Sequence, residues 1–227
     1  MLRENLAKVE ERIERACRKV GRDPEEITLV CVTKGVEIEK ISEIVNLGVT
    51  DIGENRVQEA LKKFEQLQAG QSIKWHMVGH LQSNKAKYAV RIFDLIHSVD
   101  SLKLAEEINR QAERINKIQE ILVQVNVSGE KTKFGIKPED LFSLGEEILK
   151  FKNLRLRGLM TIAPIVESPE DARFCFRKLR ELRDEFNYLT NYQLTILSMG
   201  MSQDFEVAIE EGANMVRIGT AIFKSSV

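Results

Sequence analysis

Lys34 closes the apolar run TLVCVTK at Thr28–Lys34, and it is the first residue in the chain with distinctive chemistry to offer. A lysine at the end of such a run carries an ammonium partly withdrawn from water, which lowers its pKa and favours the neutral, nucleophilic amine. A lysine that simply reaches solvent fits the same position. Far along the chain, Ser198-Met199-Gly200-Met201-Ser202 places hydroxyls and a glycine just before a helix-period segment. Amides at a helix start attract an anion, and a glycine lets a ligand approach the backbone. Phosphate binding is one reading of this segment, and an ordinary turn with Ser202 as N-cap is the other. Gly219-Thr220 offers the same chemistry after the next apolar run. Arg217 interrupts that run, and a guanidinium there needs an acceptor because it cannot lose its charge cheaply. A ligand's ring nitrogen, a phosphate, or a carboxylate such as Glu54 would each serve. Asn55 either caps a helix beginning at Arg56 or faces a ligand. His76 and His97 lie inside strand runs and read as packed, hydrogen-bonded residues, and Trp75 as a packing residue between barrel and helix.

The elements that must position these residues alternate along the whole chain. The expected strands are Thr28–Lys34, Asp51–Glu54, Lys74–Gly79, Leu95–Val99, Ile121–Val127, Arg155–Thr161, Leu194–Ser198 and Met215–Gly219. Several are apolar nearly throughout, as strands covered on both faces must be. Between them, Ile38–Asn46, Arg56–Gln68, Leu102–Asn116, Glu139–Lys150, Pro169–Phe186 and Asp204–Glu211 place apolar residues three or four apart, with Ser83–Tyr88 a weaker case. A further helix near Glu4–Lys19 precedes the first strand and can fill the place that a final helix would take. No GxGxxG follows the first strand, so the pattern reads as an α/β fold with a single (β/α)8 TIM barrel over 1–227 rather than an open dinucleotide-binding sheet. In such barrels the functional groups stand at the C-terminal ends of the strands, and the loops after strands seven and eight recurrently hold a phosphate. Lys34, Asn55, Ser198, Met199, Arg217, Gly219 and Thr220 all stand at such ends.

Composition narrows the function classes. Of the 227 residues, 43% are hydrophobic and 30% charged, which is a globular balance. With 34 basic and 35 acidic residues there is no net field to draw nucleic acid or an anionic membrane. Met1–Val20 lacks the unbroken apolar core of a signal peptide, no stretch is long and apolar enough to span a bilayer, and the cytoplasm is the expected compartment. Cys17, Cys31 and Cys175 fit neither a disulfide framework nor a zinc signature.

A phosphate site opposite a desolvated lysine is what pyridoxal 5′-phosphate (PLP) requires, with its one anionic handle and one aldehyde. The sequence also resembles the pyridoxal phosphate homeostasis proteins (the YggS/PROSC group) over nearly its whole length. The resemblance is carried by VTK at Val32–Lys34, IGENRVQE at Ile52–Glu59, WHMVGHLQSNK at Trp75–Lys85, GLMTIAP at Gly158–Pro164, LSMGMSQDFEVAIEEGA at Leu197–Ala213 and VRIGTAIF at Val216–Phe223. It implies a barrel like the N-terminal domain of alanine racemase, with PLP held as a Schiff base on Lys34. It further implies phosphate contacts from Ser198, Met199, Gly219 and Thr220, Arg217 near the ring nitrogen, and Asn55 near the ring hydroxyl or Lys34. Two features depart from the family pattern: Lys34-Gly35-Val36-Glu37 stands where many relatives have Thr and a nearby Pro, and position 80 is His.

The function so implied is that of a non-catalytic carrier or buffer in vitamin B6 homeostasis. Its partners would be PLP, related B6 vitamers and PLP-dependent apoenzymes, with no nucleic acid or membrane, and it would be a monomer. A PLP-dependent amino-acid racemase is the alternative. Racemisation needs acid–base groups on both faces of the α-carbon, and Lys34 supplies only one. Tyr88, Tyr188 and Tyr192 fall away from the expected site, leaving His80 as the one substitute. A cofactor-free lysine aldolase is a third reading, and a colourless protein would mark it.

Overall fold

Strand runs without a polar face must be covered on both sides, and this chain covers them by closing its sheet. The computed structural model describes residues 1–67, 73–130 and 132–224. Its strands are β1 (Thr28–Val32), β2 (Asp51–Glu54), β3 (Lys74–Met77), β4 (Leu95–Val99), β5 (Gln119–Gln124), β6 (Leu154–Met160), β7 (Ile196–Ser198) and β8 (Met215–Ile218). All neighbours run parallel, and β8 returns to pair with β1 through Thr28↔Met215 to Cys31↔Ile218, completing a closed barrel. The eight-stranded alternation is the expected one, and most boundaries move by only a few residues.

The helices are α1 (Leu2–Lys19), α2 (Ile38–Asn46), α3 (Val57–Leu67), α4 (Ala86–Ile92), α5 (Leu102–Arg114), α6 (Leu141–Leu149), α7 (Arg173–Thr190), α8 (Phe205–Glu210) and α9 (Thr220–Phe223). Gln68, expected to end the third of these, lies outside the described residues. Each helix turns its apolar stripe onto the barrel, and Trp75 does join barrel to helix, edge-on to Phe64 of α3 at 5.7 Å. α1 takes the place foreseen for it. The Asn5 amide donates to Ile222 O of α9 at 3.0 Å, Arg12 pairs with Glu206 of α8 at 2.8 Å, and Lys19 pairs with Glu210 at 2.6 Å. The first helix thus covers the β8–β1 seam that the short α9 leaves open.

Two layers of buried side chains divide the strands. Outward-facing residues such as Cys31, Ile52 and Ile218 pack under the helices. Inward-facing Val30, Val78, Leu95, Leu122, Met160 and Met215 fill the barrel, with Val32 and Ile162 only partly covered at the C-terminal mouth. The interior is not wholly apolar, because Asp51, His76, His97, Ser198 and Arg217 are buried as well.

Between β2 and α3 lies a buried ionic cluster absent from the sequence-based expectations. Glu54 is fully buried and accepts from Thr33 Oγ1 at 2.5 Å and from Lys63 Nζ at 2.7 Å. Lys63 Nζ also donates to Thr33 O and to Glu59, each at 2.7 Å, and Glu59 accepts from Gly35 N at 2.6 Å. Burial pushes the Glu54 carboxyl above its ordinary range against the pull of Lys63 and Thr33. Removing one partner of a buried pair leaves the other uncompensated, whereas replacing both often costs little. Lys63→Met is therefore expected to lose about 3 kcal/mol in urea unfolding, and the double variant Glu54→Leu/Lys63→Met distinctly less. Equal losses would show that the pair is not the source of the effect.

Candidate functional site

The closed β8–β1 seam sets the geometry of the mouth. Cys31 and Ile218 are in register, so Lys34 leaves β1 beside the point where Gly219 and Thr220 leave β8. Lys34 does not end the strand as expected: β1 stops at Val32, and Lys34 stands exposed in a turn. The desolvation expected from the apolar run is thus not met, because two residues of turn carry the side chain out of the sheet. The turn itself is held firmly. Val36 N donates back to Thr33 O at 3.0 Å, Thr33 N donates to Gly53 O at 2.9 Å, and the Glu54–Lys63–Glu59 cluster grips Thr33 and Gly35 on either side. Gly35 sits at φ +67°, a backbone conformation that favours glycine, which gives a physical reason for its place after the lysine.

The loops after β7 and β8 are tied together, with Ser202 Oγ accepting from Ala221 N at 3.2 Å. Ser202 therefore bridges the loops instead of capping α8. Gly200 is at φ +93°, and a Cβ there would lie 2.7 Å from Ala208 Cβ; a Cβ on Gly219 would lie 2.8 Å from Val32 O. Among the described residues the backbone N–H groups of Gly200, Ser202, Gly219 and Thr220 have no hydrogen-bond partner. Such a set of unpartnered amides on two adjoining loops is a cradle for an anion.

Two of the expected phosphate contacts are engaged elsewhere. The Ser198 hydroxyl lies inside the barrel, 2.9 Å from His97 Nδ1 and accepting from Arg217 at 2.6 Å. Met199 N donates to Met215 O at 3.1 Å. Gly219 and Thr220, by contrast, present free amides at the mouth, and the Thr220 side chain is exposed.

Arg217 is buried, and its salt bridge to Glu54, one of the options left open by sequence, does not form. Glu54 points to the opposite layer and pairs with Lys63, while Arg217 donates to Ser198 Oγ and to Thr161 O at 2.8 Å. No carboxylate lies within ion-pair distance of Arg217 among the described residues. Burial pushes its pKa down to about 10, with the Asp204 charge opposing, so it stays cationic at neutral pH. Asn55 is half-buried and packs its backbone where a Cβ on Gly79 would intrude, 2.3 Å from Asn55 O. α3 begins at Val57, and no side-chain cap from Asn55 is present, leaving its amide unpartnered among the described residues.

His80 stands at the rim, 3.4 Å from Asp100 and stacked on the exposed ring of Phe134 with centroids 3.9 Å apart. Tyr88 lies on α4, Tyr188 on α7, and Tyr192 before β7, at the N-terminal face of the barrel opposite the mouth. The buried histidines are hydrogen-bonded, as expected, but to each other: His76 Nδ1 is 3.0 Å from His97 Nε2. Sequence patterning could not pair them, since they lie on different strands.

The family model for the alanine racemase N-terminal domain matches residues 5–227. A pyridoxal phosphate homeostasis protein of Aquifex aeolicus is 51% identical over 220 residues, covering 97% of this chain and 96% of the relative, and that of Escherichia coli K12 is 40% identical over 223 residues, covering 96% and 94%. Solved structures of PipY from Synechococcus elongatus superpose with TM-scores of 0.89 without PLP and 0.87 with PLP bound, at 35% and 34% identity, each covering 99% of this chain and 100% of PipY. Alanine racemase of Clostridium difficile shares the fold at a TM-score of 0.76 and 18% identity, with 99% of this chain matching 56% of that enzyme. On these matches, the chain belongs to the pyridoxal phosphate homeostasis protein family and carries the barrel of the alanine racemase N-terminal domain.

Proposed function

We propose that residues 1–227 form one PLP-binding barrel domain that holds the cofactor covalently on Lys34 and serves as a carrier or buffer in cytoplasmic vitamin B6 homeostasis. The observation that carries this reading is the β8–β1 seam. Among the described residues it sets an exposed lysine, a buried guanidinium without a carboxylate and a set of unpartnered amides around one mouth. The donor set fits PLP group by group. The amides of Gly200, Ser202, Gly219 and Thr220 suit its phosphate, with Ser198 and Met199 framing the loop, and Arg217 suits the ring nitrogen. Asn55 suits the ring hydroxyl, and the Lys34 amine suits the aldehyde. PipY, with 34% identity over nearly the full length, has been solved with PLP bound.

When bound, PLP supplies an aldehyde that condenses with an amine and a ring that can draw electrons from an amino acid's α-carbon. The residues here favour the first property over the second. Arg217 offers only N–H donors and does not hand over a proton cheaply, so it leaves the ring nitrogen unprotonated. Lys34 is one acid–base group, and a second on the far side of the α-carbon is what racemisation needs. None of the three tyrosines stands at the mouth, and His80 is already engaged by Asp100 and Phe134. The partners of such a protein are B6 vitamers and the apoenzymes that receive the cofactor, and the chain acts as a monomer.

Purified protein given PLP is expected to develop a visible absorption band, and Lys34→Ala to develop none. A wild-type protein that stays colourless with added PLP contradicts the reading, whereas rapid loss of amino-acid optical activity overturns only the carrier role. Arg217→Glu is expected to shift the band, because a carboxylate favours a protonated ring nitrogen. An unchanged spectrum and affinity would remove Arg217 from that position.

A further inference from the structure

A single file of polar side chains crosses the barrel interior beneath the mouth. Arg217 NH1 on β8 donates to Ser198 Oγ on β7 at 2.6 Å, and Ser198 Oγ lies 2.9 Å from His97 Nδ1 on β4. His97 Nε2 lies 3.0 Å from His76 Nδ1 on β3, and His76 Nε2 lies 2.9 Å from Asp51 Oδ1 at the start of β2. All five residues are buried, from 0% exposure at His97 and Ser198 to 7% at Asp51. Interiors of such barrels are normally filled by branched apolar side chains, so five polar groups in line carry a cost unless every one is satisfied.

The carboxylate end sets the direction of the protons along the file, and the guanidinium end is compatible with it. A guanidinium only donates, so Ser198 Oγ accepts from Arg217, which leaves its own O–H free to donate to His97 Nδ1. Such an O–H meets a bare His97 Nδ1, with the proton on Nε2, where it points at His76 Nδ1. His76 in turn carries its proton on Nε2 and donates to Asp51, a carboxylate that only accepts. One neutral tautomer for both rings satisfies the whole file, and the opposite order would set a bare His76 Nε2 against the Asp51 carboxylate. Burial, with the neighbouring Arg217 charge, holds His97 far below the usual histidine range. Burial raises the Asp51 carboxyl, but hydrogen bonds from His76 and from Thr50, whose Oγ1 donates at 2.6 Å, outweigh it and keep it ionised. The file thus has an anion at one end, a cation at the other, and two imidazoles and a hydroxyl between.

We propose that Asp51, His76 and His97 are positioning residues that, through Ser198, orient the Arg217 guanidinium toward the cofactor's ring nitrogen. This rests on the reading of Arg217 given above, and it gives the Ser198 hydroxyl a task inside the barrel. It also makes a carboxylate at the barrel's floor a determinant of the spectrum of a cofactor bound at its mouth. A purely space-filling role for the histidines demands no particular tautomer and would be served equally by an apolar side chain.

The test combines imidazole nitrogen NMR of the cofactor-free wild-type protein with PLP titration of Asp51→Asn, His97→Leu and His97→Gln. Both buried histidines are expected as neutral Nε2–H tautomers. Asp51→Asn and His97→Leu are expected to shift the visible band and weaken PLP binding about tenfold, the scale of one lost charge-assisted hydrogen bond. His97→Gln, whose amide can accept from Ser198 and donate to His76, is expected to restore both. An Nδ1–H tautomer at either ring overturns the proposal even where a variant fails to fold. So does an unchanged band and affinity in Asp51→Asn and His97→Leu while the wild type binds. A wild type that forms no band sinks the cofactor reading itself, which separates the two failures.

Discussion

The pairing of β8 with β1 is the contact on which everything else in this molecule depends. Without it the sheet would be open, with Lys34 at one edge and the loops after β7 and β8 at the other. Closure brings residues nearly two hundred positions apart to one rim, and α1 reinforces it from outside through Asn5, Arg12 and Lys19. Among the described residues the short α9 follows the last strand, and the helix placed before the first strand covers that seam beside it.

Beneath the rim the barrel separates two kinds of buried polar work. On the outer layer the Glu54–Lys63–Glu59 cluster holds the turn on either side of Lys34, fixing the backbone while leaving the lysine side chain exposed. On the inner layer the line from Asp51 to Arg217 holds the guanidinium from below. The backbone carrying the Lys34 amine and the side chain proposed to face the ring are thus steadied from opposite faces of the sheet. Such support suits a site whose task is to hold one ligand in one pose, since a positioned group is only as precise as the residues behind it.

The strand–helix alternation was legible in the sequence because hydrophobic period is a local property, and the eight strands follow from it directly. The positions of Arg217, Gly219 and Thr220 at strand ends were legible for the same reason. What sequence could not supply was partnership across the barrel. Arg217 offered three kinds of acceptor, and only the closed sheet shows that Glu54 faces the other layer, with Lys63. Lys34 read as the end of an apolar strand, yet hydrophobicity carries no signal for the turn that begins at Thr33 once its hydroxyl and carbonyl are claimed by Glu54 and Lys63. Ser198 read as a phosphate ligand because its neighbours are right for one. Its hydroxyl instead faces inward, a matter of strand register that a period-two pattern three residues long cannot settle.

The central claim is that the amine at the β8–β1 rim is where the cofactor is held, and peptide mass mapping after borohydride reduction of the PLP-loaded protein tests it most directly. The account predicts one reduced pyridoxyl phosphate adduct, on the peptide containing Lys34. An adduct confined to any other lysine, or none at all from a protein that binds PLP, would contradict it.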